Sequence, residues 1–367
     1  MRIGIDAGRI AHGRGGVASY TRELIRALAA PGVEHEIVLF DLDRGSGLST
    51  AVEETIGRLP QRVRIAADRR KELQDLDLFH APGFAIPAAV GPSLVFTVHD
   101  LTVLSHPECH TFANRVRTLT SVADALARGA TILAVSEATR REALRLLALP
   151  VENVEVLAPI LNPCFSARGD VRADEATAIR LGIDDLFVLA VGSLEPRKNL
   201  ERLLDAWTAL PDRIRRTHQL VVVAADGWRQ RSILRRLDGL TQTESVIRAG
   251  RLHDSELAAL YRRARALVFP SLAEGFGLPV AEAMACGSPV VTSNTSSLPE
   301  VAGDAAILVD PEDVDAIAAA VAGVLEDEGL RRDLRERGYE RSRSFSRDAL
   351  LPRLLEIYGR AAQRLDV

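Results

Sequence analysis

Short apolar runs alternate with longer amphipathic stretches along the whole chain. Apolar runs of this kind, separated by helical patterns, indicate parallel strands that helices cover on both faces. The clearest predicted strands are Ile3–Asp6, Ile37–Phe40, Leu94–Val98, Thr131–Val135, Phe187–Val191, Leu220–Ala224, Leu267–Phe269 and Pro289–Thr292. The pattern therefore predicts an α/β fold with two doubly wound domains.

The length of the chain also favours two domains, because 367 residues exceed what one hydrophobic core usually supports. The segment Val154–Phe165, which contains prolines, is the predicted connection between them. We predict an N-terminal domain over residues 1–165, a C-terminal domain over residues 166–345, and a final helix over residues 346–367.

Composition excludes several other classes of protein. A net charge of −4 argues against a nucleic-acid partner, and 47% hydrophobic with 26% charged residues is ordinary for a globular protein. The three cysteines are widely spaced, which suits a reducing compartment. No apolar run reaches the length of a membrane span, and a predicted strand follows Met1 directly. We therefore expect a cytoplasmic protein.

The most informative segment carries two carboxylates eight positions apart, Glu274 and Glu282, with a Gly-Phe-Gly turn and Pro279 between them. A strand over Ala264–Pro270 and a helix over Val280–Ala285 are predicted on either side. This places Glu274 in a loop and Glu282 in the first turn of the helix. The free N–H groups of a helix start bind anions. A carboxylate on each side of a phosphate cradle suits a ligand with phosphates and hydroxyls, such as a nucleotide sugar.

A second segment follows the predicted strand Phe187–Val191 and reads Gly192-Ser-Leu-Glu-Pro-Arg197-Lys198-Asn. Two adjacent cations before a helix can neutralise a diphosphate and the charge of a leaving group. Lys198 is one of only two lysines in a chain that otherwise uses arginine. We therefore expect Arg197 and Lys198 to bind phosphate rather than to form an ordinary surface pair.

Two histidines are predicted near strand ends. His99 and Asp100 directly follow the predicted strand Leu94–Val98. Ligands bind at the carboxyl ends of parallel strands, so His99 is a candidate to contact a transferred group and Asp100 to orient it or bind an acceptor. His80 is also expected to follow a strand and is a candidate on the acceptor side.

The glycine loop Gly13–Ala18 formally matches the dinucleotide-binding fingerprint. That fingerprint needs a tight turn directly after its strand, whereas here six residues follow Asp6. A longer loop before the helix Val17–Leu28, with Gly15 and Gly16, better suits a flap over an interdomain cleft. An NAD-dependent enzyme stays open as an alternative, and titration with the cofactor would distinguish it.

Four segments together carry a resemblance to a known family: Gly13–Tyr20, Val98–Leu101, Val191–Leu200 and Ser271–Val291. In this order and spacing the chain resembles the retaining glycosyltransferases of family 4, with Glu274-x7-Glu282 as their signature. The resemblance covers nearly the whole chain. It implies the GT-B fold, with two Rossmann-like domains facing a central cleft and a last helix crossing back to the first domain.

The resemblance also implies roles for individual residues. Arg197 and Lys198 would grip the diphosphate, Glu274 would hold sugar hydroxyls, and Glu282 would hold ribose hydroxyls. Many relatives carry an arginine where this chain has Ser193, so part of the phosphate contact is expected to shift to Arg197. The other donor-binding residues implied in this way are Gly15, Gly16, Gly192, Ser193, Arg251, Leu252, Gly275, Phe276, Gly277 and Leu278.

The implied activity is retaining transfer of a hexose from a nucleoside diphosphate sugar to a glycan or lipid-linked acceptor, with no cofactor and no metal. The segment from Gly192 to Asn199 looks most like bacterial mannosyltransferases of polysaccharide assembly, which favours GDP-mannose. A catalytically silent nucleotide-sugar-binding protein is a further alternative, and donor hydrolysis would distinguish it.

Two segments, Asp41–Asp43 and Asp75–Asp77, match the Asp-x-Asp pattern of metal-dependent glycosyltransferases of the other main fold. The match is only three residues long, and we predict that both segments are solvated. With two cations and a helix start available, the diphosphate is expected to need no metal.

The stretch Cys109–Ala127 mixes Phe112, Val116 and Leu119 with Arg115 and Arg117. Such a stretch can lie on an anionic membrane, with the arginines near the headgroups. A core-facing helix with a solvated basic face is the alternative.

Overall fold

A computed structural model describes residues 1–12, 15–42, 47–88, 93–225, 231–243 and 245–363. The chain divides into two compact units. The first contains Met1–Asn162 together with the described residues from Phe345 onward, and the second contains Pro163–Ser344.

The first unit is built on a parallel sheet in which seven strands are described, in the order β3-β2-β1-β4-β5-β6-β7. Its strands are β1 (Arg2–Asp6), β2 (Glu36–Phe40), β3 (Val63–Ile65), β4 (Leu78–Ala81), β5 (Ser93–Val98), β6 (Thr131–Ala134) and β7 (Val154–Val156). Its helices up to residue 162 are α1 (Gly8–His12), α2 (Gly16–Leu28), α3 (Leu48–Thr55), α4 (Arg69–Gln74), α5 (Thr102–Ser105), α6 (Phe112–Ala127) and α7 (Glu137–Leu147), with 3₁₀ turns at Pro107–Cys109 and Val151–Asn153.

The second unit has a parallel sheet with six described strands, in the order β10-β9-β8-β11-β12-β13. Its strands are β8 (Phe187–Ser193), β9 (Gln219–Ala225), β10 (Val246–Gly250), β11 (Ala266–Phe269), β12 (Val290–Ser293) and β13 (Ile307–Val309). Its helices are α8 (Val171–Arg180), α9 (Leu200–Ala209), α10 (Asp212–Arg215), α11 (Arg231–Thr243), α12 (Asp254–Arg263), α13 (Leu278–Cys286), α14 (Leu298–Ala302), α15 (Val314–Glu326) and α16 (Glu328–Arg343), with a 3₁₀ turn at Pro196–Lys198. The last helix, α17 (Arg347–Gln363), belongs to the first unit.

Both sheets reverse their strand order at one point, between β1 and β4 in the first unit and between β8 and β11 in the second. At such a point the loops leave the carboxyl edge in opposite directions and open a crevice, where ligands bind in doubly wound sheets. The strands themselves are buried on both faces, which explains why they read as continuous apolar runs.

The predicted strands are confirmed, with ends shifted by one or two residues. One element was predicted wrongly: Val154–Val156 lies in the sheet as β7, paired with β6, whereas the sequence placed it in the connection. Val154 is 4% exposed, but a run of three residues is too short to show a period. None of the described helices is long and apolar enough to cross a membrane.

Candidate donor site in the second unit

The centre of the site is an ion-pair cluster of Arg197, Lys198 and Glu274. Nη1 of Arg197 donates to Glu274 Oε2 at 2.7 Å, and Nζ of Lys198 donates to Glu274 Oε1 at 2.6 Å. The three side chains are only 11%, 15% and 9% exposed, respectively. The structure thus brings Glu274 together with the Arg197–Lys198 pair, which the sequence analysis identified in a different segment, at the carboxyl edge between β8 and β11.

Main-chain and side-chain bonds join the loops that carry this cluster. Asn199 adopts a left-handed conformation (φ 58°), and its Nδ2 donates to the carbonyls of Pro270 (2.9 Å) and Pro311 (2.7 Å). The N–H of Leu272 donates to the carbonyl of Arg197 at 2.9 Å. The loop after β8 is therefore fixed against the loop after β11, which sets the positions of both cations.

The electrostatics of the cluster favour a charged Glu274. Burial alone would raise the pKa of this carboxyl, but the charges of Arg197 and Lys198, with a hydrogen bond from Ser271, lower the pKa to about 2. Burial lowers the pKa of Lys198, and Arg197 acts in the same direction, whereas Glu274 opposes both. Glu274 is thus the main group that favours the charged form of this lysine.

Ser193 and Glu195 complete the surroundings of Arg197. The Ser193 hydroxyl donates to Glu195 Oε1 at 2.7 Å, and Nη2 of Arg197 lies 3.3 Å from the same oxygen. A Cβ added to Gly192 would lie 3.4 Å from Cγ of Lys198. Gly192 therefore lets the side chain of Lys198 pass close to the end of β8. Ser193 is linked to Arg197 through the carboxylate of Glu195.

The turn after Glu274 leads into the start of α13. Gly277 has φ 102°, and a Cβ there would lie 2.6 Å from Leu298 Cδ2, so the position requires glycine. The residue at the N-cap, Gly277, has no side chain that could cap this helix start, and Pro279 is in the first turn as predicted. Uncapped N–H groups at a helix start suit an anionic ligand. The Ser297 hydroxyl, donating to the carbonyl of Phe276 at 2.8 Å, holds the turn in place.

The predicted place of Glu282 was wrong. Because α13 begins at Leu278, four residues before the carboxylate, Glu282 lies in the second turn rather than the first. There its Oε2 accepts a hydrogen bond from the Tyr261 hydroxyl at 3.1 Å. Burial, with the charge of Asp254, raises the pKa of Glu282 to about 8 against the Tyr261 bond. A carboxyl that keeps its proton near neutral pH can donate and accept hydrogen bonds.

Three residues of this site were missed in the sequence. Ser271 donates to Glu274 Oε1 at 2.6 Å, and its spacing of three residues from the glutamate was a usable signal. Asn199 lies beside the cations, but its role depends on contacts with distant segments. Tyr261 stands 21 residues before Glu282, and nothing local links the two.

The other residues that were predicted to bind the donor lie at the same edge of the sheet. Arg251 and Leu252 lie in the loop after β10, where Arg251 is exposed and Leu252 partly buried. Gly275 and Phe276 lie in the turn before α13, with Phe276 7% exposed. The N–H of Glu274 donates to the Ser296 hydroxyl at 3.0 Å, which fixes the start of this turn.

In the first unit, His99 follows β5 as predicted. Its Nε2 lies 2.7 Å from the carbonyl oxygen of Pro82, and a carbonyl only accepts, so Nε2 carries the proton. The ring also packs edge-on against Tyr20, with 5.0 Å between ring centres. Asp100 accepts instead from the N–H of Thr102 at 3.0 Å, at the start of α5. Pro82 and Tyr20 therefore contact the His99 ring, and the two roles predicted for Asp100, orienting His99 or binding an acceptor, stay predictions.

The predicted position of His80 was wrong. It lies inside β4 rather than after it and is 0% exposed. Nδ1 is 2.6 Å from the Tyr358 hydroxyl on α17, and Nε2 is 2.7 Å from the Thr97 hydroxyl. Burial lowers the pKa of His80 to about 3. With both ring nitrogens bonded inside the core, His80 is a structural residue rather than one presented to an acceptor.

Gly15 and Gly16 lie where the loop enters α2. Gly15 is the residue before the helix, with φ 147°, and Gly16 is its first residue. Helix α1 stands between β1 and this loop, so the tight strand-to-helix turn of a dinucleotide site is not formed. Gly13, the first glycine of the formal fingerprint, lies outside the described residues.

The Asp-x-Asp segments have different surroundings. Asp41 was predicted to be solvated but is 6% exposed, because it directly follows the buried strand β2; Asp43 lies outside the described residues. Asp75 is 55% exposed and pairs with Arg2, and Asp77 accepts from the Arg2 N–H at 2.7 Å. Asp75 and Asp77 therefore hold the start of β1.

Taken together, the second unit presents a cluster of two cations and a carboxylate at the switch point of a Rossmann-like sheet. Comparison with known proteins gives this class a name. Residues 174–341 match the family model described as "Glycosyl transferases group 1", and residues 14–163 match "Glycosyltransferase Family 4". The chain belongs to this family and is a glycosyltransferase, as its sequence motifs predicted.

Relatives and solved structures agree. O-antigen chain mannosyltransferase B of Escherichia coli is 31% identical over 353 residues, which are 90% of this chain and 92% of that one. Sucrose-phosphate synthase from Thermosynechococcus elongatus has a TM-score of 0.74 at 23% identity, covering 98% of both chains. Anabaena HepE, solved with UDP and glucose, has a TM-score of 0.76 at 18% identity, covering 98% of this chain and 99% of that one. These GT-B neighbours confirm the predicted fold class.

The ion pairs of Glu274 with Arg197 and Lys198 predict a specific loss of folding stability in acid. The pKa of Glu274 is lowered from 4.5 to about 2 on folding, so its contribution is complete above pH 4.5 and is lost as the pH falls towards 2. We expect about 2 kcal/mol of this contribution to disappear between pH 5 and pH 3. Urea unfolding at both pH values should show that Glu274→Gln loses less stability than wild type over this interval. Glu340→Gln, which removes an exposed carboxylate paired with Arg343, is the control, and equal losses in wild type and Glu274→Gln would contradict the assignment.

Proposed function

We propose that this glycosyltransferase moves mannose from GDP-mannose to an acceptor hydroxyl, with retention of configuration and without a divalent metal. The observation that carries the proposal is the cation pair Arg197–Lys198, which is bound to Glu274 four residues before the start of α13, at the switch point of the sheet. The mannosyltransferase relatives support the choice of sugar. UDP-glucose is the second candidate donor, because HepE is solved with it.

The chemistry follows from charge. The bond between the sugar C1 and the phosphate oxygen breaks, and negative charge develops on the leaving diphosphate. Arg197 and Lys198 stabilise this charge in a site with little exposed surface, where electrostatic interactions are strong. The acceptor oxygen attacks from the same face, and its proton passes to the leaving phosphate oxygen. Two cations and a helix start supply the positive charge that a metal supplies elsewhere.

The remaining residues bind the donor in this proposal. Glu274 accepts hydrogen bonds from sugar hydroxyls, and Glu282 binds the ribose hydroxyls. His99 keeps its proton on Nε2 for Pro82, which leaves the Nδ1 lone pair to accept from a hydroxyl of the transferred sugar. Leu252 and the backbone at Arg251 contact the base.

A screen of nucleotide sugars tests the donor. We expect GDP-mannose to raise the melting temperature more than UDP-glucose or NAD, because a ligand that binds the native state stabilises it by about 2.7 kcal/mol at a hundred times its Kd. The shift and slow hydrolysis to mannose and GDP should persist in EDTA. A larger shift with UDP-glucose would reassign the donor. Loss of hydrolysis in EDTA with recovery in manganese would refute metal independence, and binding without any hydrolysis would favour a silent binding protein.

Removing Lys198 tests the leaving-group role. Lys198→Ala should lower kcat for donor hydrolysis by roughly a hundredfold, the scale of losing one strong electrostatic group. Lys71→Ala, which removes the other lysine from an exposed position on α4, is the matched control and should leave kcat unchanged. Near-normal kcat in Lys198→Ala at saturating donor would exclude the role.

A lipid-linked acceptor at the cytoplasmic face of the plasma membrane is part of the proposal. On α6, Phe112 is 78% exposed and Val116, one turn later, is 46% exposed. Arg117 is exposed on the same helix, and its guanidinium carbon Cζ lies 4.6 Å from the centre of the Phe84 ring. Two exposed apolar residues with a nearby arginine suit an anionic lipid surface.

Vesicle co-sedimentation tests the membrane contact. Wild type should bind phosphatidylglycerol vesicles at low salt and release them as salt rises, because the Debye length shortens. Phe112→Ser with Val116→Ser should reduce binding severalfold. Val171→Ser, at a 73% exposed valine on α8, is the control. Wild type that stays in the supernatant at low salt would rule out the contact.

A further inference from the structure

The Glu274 carboxylate forms ion pairs with both cations that the proposed function assigns to the donor diphosphate. One carboxylate oxygen lies 2.7 Å from Arg197 Nη1 and the other 2.6 Å from Lys198 Nζ. Because the three side chains are 9 to 15% exposed, water is a poor substitute partner for any of them. An incoming diphosphate therefore meets cations whose charge a protein carboxylate already compensates.

The carboxylate is held there by bonds that a ligand can replace. Oε1 accepts from the Ser271 hydroxyl at 2.6 Å as well as from Lys198, and Oε2 accepts from Arg197. Arg197 keeps a second anchor when Glu274 leaves, since its Nη1 also donates to the carbonyl of Ala273 at 2.5 Å. The cations can thus exchange one anion for another while the loop that carries them stays in place.

We infer that Glu274 determines specificity as an internal counter-anion, which pairs with Arg197 and Lys198 and yields them only when its carboxylate gains the hydroxyls of a bound sugar. The inference rests on the proposed function, because it takes both cations as ligands of the diphosphate.

The consequence is discrimination between two diphosphates that differ only in the sugar. A bare nucleoside diphosphate takes both cations from Glu274 and leaves a poorly hydrated carboxylate with no cation beside it and a hydrogen bond from Ser271, which is costly. A nucleotide sugar takes the same cations but gives Glu274 hydroxyl donors in return. The site therefore favours substrate over product, and after transfer Glu274 competes with the product diphosphate for the cations.

Calorimetric titration with GDP, GDP-mannose and inorganic pyrophosphate tests the inference in wild type and Glu274→Gln. The amide keeps the size of the side chain but removes the competing charge. We expect the affinity for GDP and for pyrophosphate to rise by roughly tenfold or more, because a like charge beside the phosphates is gone. The affinity for GDP-mannose should rise less or fall. Glu282→Gln, the same chemical change at the other carboxyl, should not raise the affinity for pyrophosphate.

Unchanged or weaker binding of pyrophosphate and GDP in Glu274→Gln would overturn the inference. If wild type binds pyrophosphate but neither GDP nor GDP-mannose, the donor proposal fails, and the pyrophosphate arm still decides the role of Glu274. If Glu274→Gln does not fold, Ser271→Ala replaces it. Removing that hydroxyl loosens the carboxylate and should raise pyrophosphate affinity severalfold, whereas no change would overturn the inference.

Discussion

The ion-pair cluster of Arg197, Lys198 and Glu274 is the interaction on which the candidate donor site depends. Burying three charges is expensive unless each has a close partner, and removing one partner from such a cluster typically costs 3–5 kcal/mol. The cluster meets this condition because the loops after β8 and β11 are joined by Asn199 and by main-chain bonds. The same loops leave the carboxyl edge of the sheet at its switch point, where a ligand can reach them.

Two carboxyl groups of one loop-and-helix segment have opposite electrostatic environments. Cations lower the pKa of Glu274 to about 2, while burial raises that of Glu282 to about 8. When the surroundings shift the pKa values of two carboxyl groups in opposite directions, the two groups can have different chemical roles. Glu274 acts as a charged acceptor, whereas Glu282, bonded to Tyr261, can also donate. In the first unit, Pro82 fixes the proton of His99 in a comparable way.

Much of the fold could be predicted because buried parallel strands form continuous apolar runs. The positions of Glu274, Lys198 and His99 could be predicted because glycines, prolines and strand ends mark the carboxyl edge of a sheet. The pairing of Glu274 with Lys198 could not, since the contact joins residues 76 positions apart. His80 was misplaced for a similar reason, because its partner Tyr358 stands 278 positions away. Asp41 was misjudged because a charge at the end of a buried strand looks solvated in sequence.

A crystal structure with GDP-mannose bound tests the central claim most directly. The claim predicts that Arg197 and Lys198 contact the diphosphate oxygens, at about 2.7–2.9 Å for charge-assisted bonds, while the Glu274 carboxylate accepts from the mannose hydroxyls. It predicts no metal ion between the phosphates and the protein. A complex in which Glu274 still holds both cations while the diphosphate binds elsewhere would contradict it.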